Sequence, residues 1–352
     1  MRLWGRRLGI GVCVVLVLVA GAAAGTRTGR YVVRAAWEEG GILSRRRPIP
    51  EVIADSKTDA RSRAMLQLVL AVRQFAVDSI GLRAGQSYTT FTQMPGDTLV
   101  LVLTGARRDR LVRVTWWYPI IGRVPYQGFF RRSDAEAARA ELAALGLDAE
   151  LRPASAFSTL GWFDDPLLSP TLSGDSASVA ETVMHELLHA TYFVPGDVAM
   201  NESFANMVGH RGAQRFFRSR GDSALARLVA DRWNDEVRLG AFWSWYASQL
   251  DSAFGQHNAD SLARLAARDT LEVRARVTLR NAVAPTLRVS RPEGWADRVA
   301  LGTNAILSKS LYRTGLVTLD AALAANRGDL RKAIRQIIDV DTRSRAGKLT
   351  AK

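Results

Sequence analysis

The feature that most constrains this chain is a pair of histidines four residues apart inside an apolar stretch. His185 and His189 flank Glu186 in the sequence His-Glu-Leu-Leu-His, and the apolar residues around them recur at helical spacing. On an α-helix, residues i and i+4 lie on the same face, so both imidazoles can reach one metal ion. Glu186 then lies beside the metal, where its carboxylate can transfer a proton. The segment from Asp175 to Phe193 is therefore predicted to be a metal-binding helix.

A catalytic zinc ion needs three protein ligands and an open position. Glu202 follows at the start of the next predicted helix, after a break at residues 195–196, and we expect it to be the third ligand. Asp197 in the connecting turn and His210, two helical turns beyond Glu202, are the alternatives. His257 has no motif around it. The predicted cofactor is Zn2+, and its predicted ligands are His185, His189 and Glu202.

The segment 201–205, Asn-Glu-Ser-Phe-Ala, resembles the Asn-Glu-Gly-Phe-Ala segment of gluzincin aminopeptidases of the aminopeptidase N type. In those enzymes the glutamate binds zinc, which implies the same role for Glu202. The spacer from His189 to Glu202 has 12 residues. That spacer is shorter than is usual in the family, so a tighter turn is expected here. A metzincin site is excluded because Tyr192 and Pro195 stand where its glycine and third histidine belong.

A longer set of motifs resembles a bacterial family of predicted aminopeptidases, whose members are mostly exported or lipid-anchored. The resemblance runs from about Tyr31 to about Tyr312. It is carried by residues 115–130, 158–169 and 185–205. It implies a zinc aminopeptidase that acts on a peptide substrate.

Two further parts of such a site can be sought in the sequence. Residues 154–163 precede the metal helix, and the resemblance implies an edge strand there that pairs with an extended substrate; an ordinary core strand is the alternative. An oxyanion stabiliser is also needed. By chemistry alone, its candidates are Tyr126, Tyr192 and Tyr312.

Residues 1–25 are typical of a secretory signal peptide or an N-terminal membrane anchor. Three arginines precede an apolar run from Leu8 to Gly25. The run is near the lower length limit for a membrane span, so both readings stay open. Positive charge holds the N-terminal end in the cytoplasm. We therefore expect an exported body, either anchored in the inner membrane and facing the periplasm, or secreted after cleavage. The chain's one cysteine, Cys13, excludes an intrachain disulfide.

The formal net charge of +14 invites a nucleic-acid partner, but its distribution argues against one. The 43 arginines are spread along the chain and mixed with acidic residues, as on solvated helix faces. No nucleic-acid-binding module is recognisable. We expect a peptide substrate and contact with the membrane through the N-terminal segment, and no nucleic acid.

The predicted fold class is α+β, with a zincin-like core, a small N-terminal sheet and a mainly helical C-terminal body. Residues 26–58 are predicted to be a juxtamembrane connector and residues 59–345 the peptidase domain. The predicted elements are a helix at 59–80, a hairpin of strands 98–105 and 111–119, a loop at 122–130, a helix capped by Ser133, short strands at 147–153 and 154–163, and helices beyond Gly221.

These observations predict an exported or membrane-anchored zinc peptidase, with Glu186 as general base. Two rival functions use the same residues. One is a zinc amidase or cell-wall hydrolase. The other is a non-catalytic, membrane-tethered scaffold with a zincin fold, which the intact Glu186 argues against.

Overall fold

The computed structural model describes residues 25–94, 100–118, 122–154, 166–258 and 260–350. Within these ranges the chain is mixed α+β and mostly helical, as predicted. The helices are α1 (Arg27–Ser44), α2 (Ile49–Ala54), α3 (Ala60–Phe75), α4 (Arg132–Ala144), α5 (Ser176–Thr191), α6 (Val198–Ser219), α7 (Ser223–Gln256), α8 (Ser261–Thr278), α9 (Trp295–Arg298), α10 (Thr303–Leu311), α11 (Leu316–Ala325) and α12 (Leu330–Thr350). The strands are β1 (Arg47–Pro48), β2 (Thr90–Thr92), β3 (Val100–Ala106), β4 (Trp116–Tyr118), β5 (Gly122–Val124), β6 (Gln127–Phe129), β7 (Asp148–Ala154) and β8 (Leu167–Leu168).

The described strands form three small sheets. In the one nearest the site, β3 lies between β6 and β7 and is antiparallel to both, with Leu101 opposite Phe129 and Pro153. A second sheet has the order β1-β2-β8, and β4 and β5 form a two-stranded ribbon. The strand predicted at 147–153 is therefore confirmed as β7. The strand predicted at 154–163 begins at the end of β7 and otherwise lies outside the described residues.

The predicted hairpin of strands 98–105 and 111–119 is confirmed only next to its turn, where Arg107 N–H donates to Val112 C=O and Val114 N–H donates to Gly105 C=O. Strand β3 forms where the first of these was expected, but its partners are β6 and β7. The second stretch makes one isolated bridge to β3 among the described residues, between Arg113 and Ala106, and then forms β4. The 122–130 stretch, predicted as a loop, instead contains β5 and β6.

A buried ion pair holds the turn that follows β3. Asp109, in the turn after β3, accepts a hydrogen bond of 2.8 Å from Arg264 of α8, and both side chains are buried. Arg264 also donates to the Asp109 carbonyl oxygen. The chain leaving β3 is thus held against the helical body, and it turns back along only the last residues of β3. Such a long-range contact has no signature in local sequence.

Helix ends follow local sequence more closely. The helix predicted at 59–80 is confirmed: Asp59 caps α3 by accepting a hydrogen bond from the Ser62 N–H, and a π-helical turn extends the helix to Ile80. Gly81 ends it with φ +84°, a left-handed conformation that glycine adopts without strain. The predicted cap of α4 is wrong, because Ser133 lies inside that helix, which begins at Arg132 without a side-chain cap.

Residues 26–58, interpreted from sequence as a connector, contain α1, β1 and α2. Ile49 and Val52 of α2 are buried in the main core, so the packed body extends to residues before 59. Residues 1–24, on which the signal or anchor prediction falls, lie outside the described residues. Among the helices that the structure does describe, none combines the length and apolar character needed to cross a membrane.

The main core surrounds α5, which explains how a polar motif can be held rigidly. Eight residues of α5 are buried, mostly apolar ones packed against α3 and α6. Burial of a large aliphatic side chain contributes about 1.5–3 kcal/mol. A second apolar cluster forms around the C-terminal half of α7, with α8 and α10. The histidine motif therefore lies on a helix that is embedded in the main core.

Candidate metal centre

Three side chains of α5 and α6 converge on one small volume, and they are the three predicted ligands. His185 Nε2 lies 3.2 Å from His189 Nε2 and 3.3 Å from Glu202 Oε2. His189 Nε2 lies 3.6 Å from Glu202 Oε1. Within the described parts of the chain, no other cluster of three His, Cys, Asp or Glu residues has its ligand atoms this close together.

These distances can be compared with the size of a zinc coordination shell. Zinc bonds to imidazole nitrogen and carboxylate oxygen of about 2.0–2.1 Å place tetrahedral ligand atoms about 3.3–3.4 Å from one another. The three observed separations, 3.2, 3.3 and 3.6 Å, lie around that value. Two imidazoles and one carboxylate are also the donor set of a catalytic zinc site with an open fourth position. The residues present therefore fit the ion.

The electrostatics favour ligand protonation states that a metal can use. Burial and the neighbouring His185 lower the pKa of His189 to about 4, so this imidazole is neutral at neutral pH. Burial also disfavours the charged form of His185, but its hydrogen bond to Glu202 and the charges of Glu186 and Glu202 outweigh it and raise its pKa. Burial likewise opposes ionisation of Glu202, but the two histidines lower its pKa below the usual value. Metal binding at this site would displace the proton that His185 and Glu202 share.

Glu186 lies beside this group and is not one of its three converging donors. Its side chain is half-buried. Its negative charge helps raise the pKa of His185 and also that of Tyr312. The carboxylate is therefore near enough to both His185 and Tyr312 to act on them by its charge.

Glu202 reaches the histidines because α5 and α6 pack unusually closely. At Gly209, a Cβ atom would lie 2.8 Å from the Glu181 carbonyl oxygen and 3.4 Å from His185 Cβ. At Gly212, three residues along the same face, a Cβ would collide with Met184. The missing side chains let the two backbones approach each other opposite the metal motif. Glu202, two turns before Gly209, is thereby brought level with His185 and His189.

The turn between the two helices is fixed by Asn201, which precedes Glu202. Its side-chain oxygen accepts a hydrogen bond from Val194 N–H at 2.9 Å, and its amide nitrogen donates to Val194 C=O at 2.8 Å. Asn201 is buried. These two hydrogen bonds fold residues 192–197 back against the first turns of α6. Glu202 lies on the second turn of α6, which begins at Val198, and not on its first turn as expected from sequence.

Two more residues of α6 position a tyrosine over the site. Ser203 Oγ donates to Leu311 C=O and accepts from Thr314 N–H, and Asn206 donates to Tyr312 C=O. These bonds hold the end of α10, where the Tyr312 ring lies 6.4 Å from the His185 ring. Burial and the charge of Glu202 raise the pKa of Tyr312, so its hydroxyl stays protonated and can donate a hydrogen bond.

The other two candidate tyrosines differ in position. Tyr126, between β5 and β6, is 41% exposed, and partial burial together with the Glu202 charge raises its pKa, so it borders the site. Tyr192 is turned away: its hydroxyl donates to Asp341 Oδ2 of α12 at 2.6 Å, and its ring packs on Phe204. Tyr192 follows the last residue of α5 and leaves the helix face that carries the histidines.

The alternative ligands have other contacts. Asp197 caps α6 by accepting from Met200 N–H and pairs with Arg345 at 2.6 Å. His210 Nδ1 contacts the Asn206 carbonyl, and its ring packs on Trp233. His257 is the C-cap of α7. Of the four acids and histidines considered for the third position, Glu202 is the one placed beside the histidine pair.

Several residues around the site were not predicted. Arg152 of β7 lies near Tyr312, with a guanidinium nitrogen 3.5 Å from the hydroxyl. One arginine among 43 carries no local signal, and its approach depends on how β7 packs beside α10. Gly209 and Gly212 could have been found, since two glycines three residues apart in a helix indicate close helix packing.

The chain was compared with known proteins. A family model described as "Putative aminopeptidase" matches residues 30–350, which is most of the chain, and the protein belongs to that family. Neither a search of the curated proteins nor one of the solved structures found a match.

Proposed function

We propose that this member of the aminopeptidase family is a zinc-dependent peptidase whose metal is held by His185, His189 and Glu202. Family membership supports peptidase activity and a peptide substrate. The observation that carries the finer proposal is the convergence of the three donor groups at separations that suit zinc. A zincin-like organisation, with Glu202 in the gluzincin position, is part of the same proposal.

Bound zinc would supply a Lewis acid that polarises the scissile carbonyl and lowers the pKa of a bound water to about 7. The protein's own residues carry the other steps. Glu186 accepts a proton from the attacking water and passes it to the leaving amine, as a general base and then a general acid. Its charge acts on both His185 and Tyr312, which suits that exchange.

Tyr312 is the residue we assign to the developing oxyanion. Its hydroxyl is kept protonated, and Ser203 and Asn206 hold its backbone from the helix that carries Glu202. Movement of the third ligand and of the oxyanion donor is thereby coupled. Tyr126 borders the same space and is the second candidate, whereas the Tyr192 hydroxyl is engaged by Asp341.

The proposed location is outside the cytoplasm, either anchored in the inner membrane or secreted. The support is the sequence of residues 1–25, with basic residues followed by an apolar run. A reporter fused after Lys352 should read as extracytoplasmic.

The test is metal content and peptide hydrolysis of the full-length protein purified in detergent. We expect about one zinc per chain, and substoichiometric zinc in His185→Ala, His189→Ala and Glu202→Ala. Glu186→Gln should retain zinc and lose about 100- to 10,000-fold in kcat, because an amide cannot accept the proton. His257→Ala, a histidine variant remote from the site, is the matched control and should behave as wild type.

Two results would contradict the proposal. Full zinc in the ligand variants would show that the metal is held elsewhere. Near-normal turnover by Glu186→Gln would remove the general base. A library of peptides, amides and cell-wall fragments separates a peptidase from an amidase, and inertness of the zinc-loaded wild type on all of them would indicate a scaffold.

A further inference from the structure

A cation lies at the edge of the candidate site without an acidic partner among the described residues. The Nε atom of Arg152 is buried and makes no hydrogen bond to any of those residues. One of its terminal nitrogens is 3.5 Å from the Tyr312 hydroxyl, at the limit of a hydrogen bond, and its guanidinium carbon is 5.8 Å from the Tyr312 ring. Arg152 thus has hydrogen-bond donors beside Tyr312 for which the described residues provide no acceptor.

Arg152 is half-buried, and the two fully buried arginines of the described structure both have carboxylate partners. Arg264 is bonded to Asp109, and Arg268 contacts Asp148 at 3.0 Å. An arginine in a partly desolvated position normally has such a carboxylate, because an uncompensated charge is costly to bury. Arg152 has no carboxylate at salt-bridge distance among the described residues, and it lies beside the Tyr312 hydroxyl.

A second cation, Lys309, lies near Arg152. Lys309 lies on α10, one turn before Tyr312, and its ammonium packs 5.5 Å from the Trp243 ring. Burial lowers the pKa of Lys309, and the charges of Arg313 and Arg152 lower it further. Arg313 forms a salt bridge with Glu236 at 2.8 Å, which neutralises its charge. Glu150, Glu236 and Glu202 also place negative charge near this wall, but none of them is at salt-bridge distance from Arg152 in the described structure, so its guanidinium is free to bind an anion.

We propose that Arg152 binds the free C-terminal carboxylate of a short peptide, making the enzyme selective for substrates with one or two residues after the scissile bond. Arg152 would act through a charge-assisted, two-pronged hydrogen bond, which its planar fork suits. The inference rests on the proposed peptidase function.

Distances along the substrate agree with this assignment. The Tyr312 ring links the two groups, being 6.4 Å from the His185 ring and 5.8 Å from the guanidinium carbon. The guanidinium carbon therefore lies no more than about 12 Å from the His185 ring. An extended peptide advances about 3.3–3.6 Å per residue, so one or two residues after the scissile bond are compatible with that limit. A longer chain would have to pass the arginine and could not place its terminal carboxylate there.

The experiment compares Ala-Ala and Ala-Ala-Ala with their C-terminal amides, in the zinc-loaded full-length wild type and in Arg152→Met. We expect the ratio of kcat/KM for acid over amide to fall about 10- to 100-fold in Arg152→Met, the loss typical of a charge-assisted hydrogen bond. Arg123→Met on β5 is the matched control: Arg123 is exposed and contacts Thr115, and its removal should leave the ratio unchanged.

A binding measurement separates this inference from the proposed function. In the Glu186→Gln background, calorimetry of the same peptides should give a Kd for the acid that Arg152→Met raises by the same factor. If wild type hydrolyses no peptide but the acid still binds through Arg152, the peptidase proposal fails and the recognition of carboxylate stands.

Other outcomes overturn the inference. Equal losses on acid and amide, confined to kcat, would make Arg152 an oxyanion group. Loss of zinc in Arg152→Met would make it a support for Glu202. If the effect of Arg152→Met appears with Ala-Glu-amide but not with Ala-Ala, the arginine recognises an acidic side chain and not the terminus.

Discussion

The substitution Gly209→Ala tests whether close packing of α5 and α6 sets the metal site. The new Cβ would lie 2.8 Å from the Glu181 carbonyl oxygen, whereas ordinary contact begins at 3.4 Å. The opposing atom is backbone and cannot rotate away. The helices must therefore separate locally by about 0.6 Å, since protein interiors hold few voids that could absorb the methyl group.

The two effects on stability have opposite signs. Overpacking of this kind costs about 1–3 kcal/mol, and alanine gains up to about 1 kcal/mol over glycine in a helix. We expect the free energy of unfolding to fall by about 0–2 kcal/mol, too little to unfold the protein. The metal site is more sensitive, because a constellation of this type tolerates displacements of only about 0.5 Å. Zinc affinity should therefore fall about 10- to 100-fold, as when a ligand loses its supporting contacts.

The assay is a zinc titration against a chromogenic chelator, with urea unfolding of the apoprotein in parallel. Gly255→Ala in α7 is the control, because a Cβ there meets nothing within 4 Å. It should bind zinc as wild type does and be equally or slightly more stable. If Gly209→Ala binds zinc normally while its stability falls as expected, the spacing of α5 and α6 does not position Glu202, and that reasoning is refuted.

Two further predictions concern the supports of the fold. Asn201→Ala removes both hydrogen bonds to Val194 and leaves a buried N–H and C=O unpaired. The free energy of unfolding measured in urea should fall by about 2–4 kcal/mol, and zinc binding should weaken. A loss of stability with unchanged zinc affinity would mean that Asn201 stabilises the turn without positioning Glu202. Arg264→Met should cost about 3–5 kcal/mol by breaking a buried pair. Although burial opposes ionisation of Asp109, hydrogen bonds from arginines and a serine hold its pKa well below the usual range. Its contribution is thus present above the unfolded pKa of about 4 and is lost as pH falls below it, so acid urea titrations should show a smaller drop in Arg264→Met than in wild type.

Local sequence was sufficient for elements whose evidence lies within a few residues. The histidine pair and the buried positions of α5 follow from helical period, and the ends of α3 follow from Asp59 and Gly81. The pairing of β3 with β7 was missed because three short strands and a helix lie between them in sequence. Long-range packing of this kind has no pattern that a window of sequence can contain.

The same division applies within the candidate site. Glu202 was identified because its segment resembles a known ligand motif, and the structure places it beside the histidines. Tyr312 was one of three tyrosines with equal standing, since its approach to His185 requires α10 to be held against α6 by Ser203. Arg152 was invisible, because nothing distinguishes it from other arginines until β7 is placed beside α10.

The short spacer before Glu202 has a structural explanation. Helix α5 ends at Thr191 and α6 begins at Val198, and the chain reverses within the residues between them. Contacts of Gly209 with Glu181 and of Glu202 with His185 and His189 show that the two helices run antiparallel. In such a hairpin the residue that faces the histidines must lie on the early turns of the second helix, because later turns move away at about 1.5 Å per residue. A ligand 13 residues after the second histidine is therefore what a tight helical hairpin requires, and His210, two turns further along, lies too far down α6 to take its place.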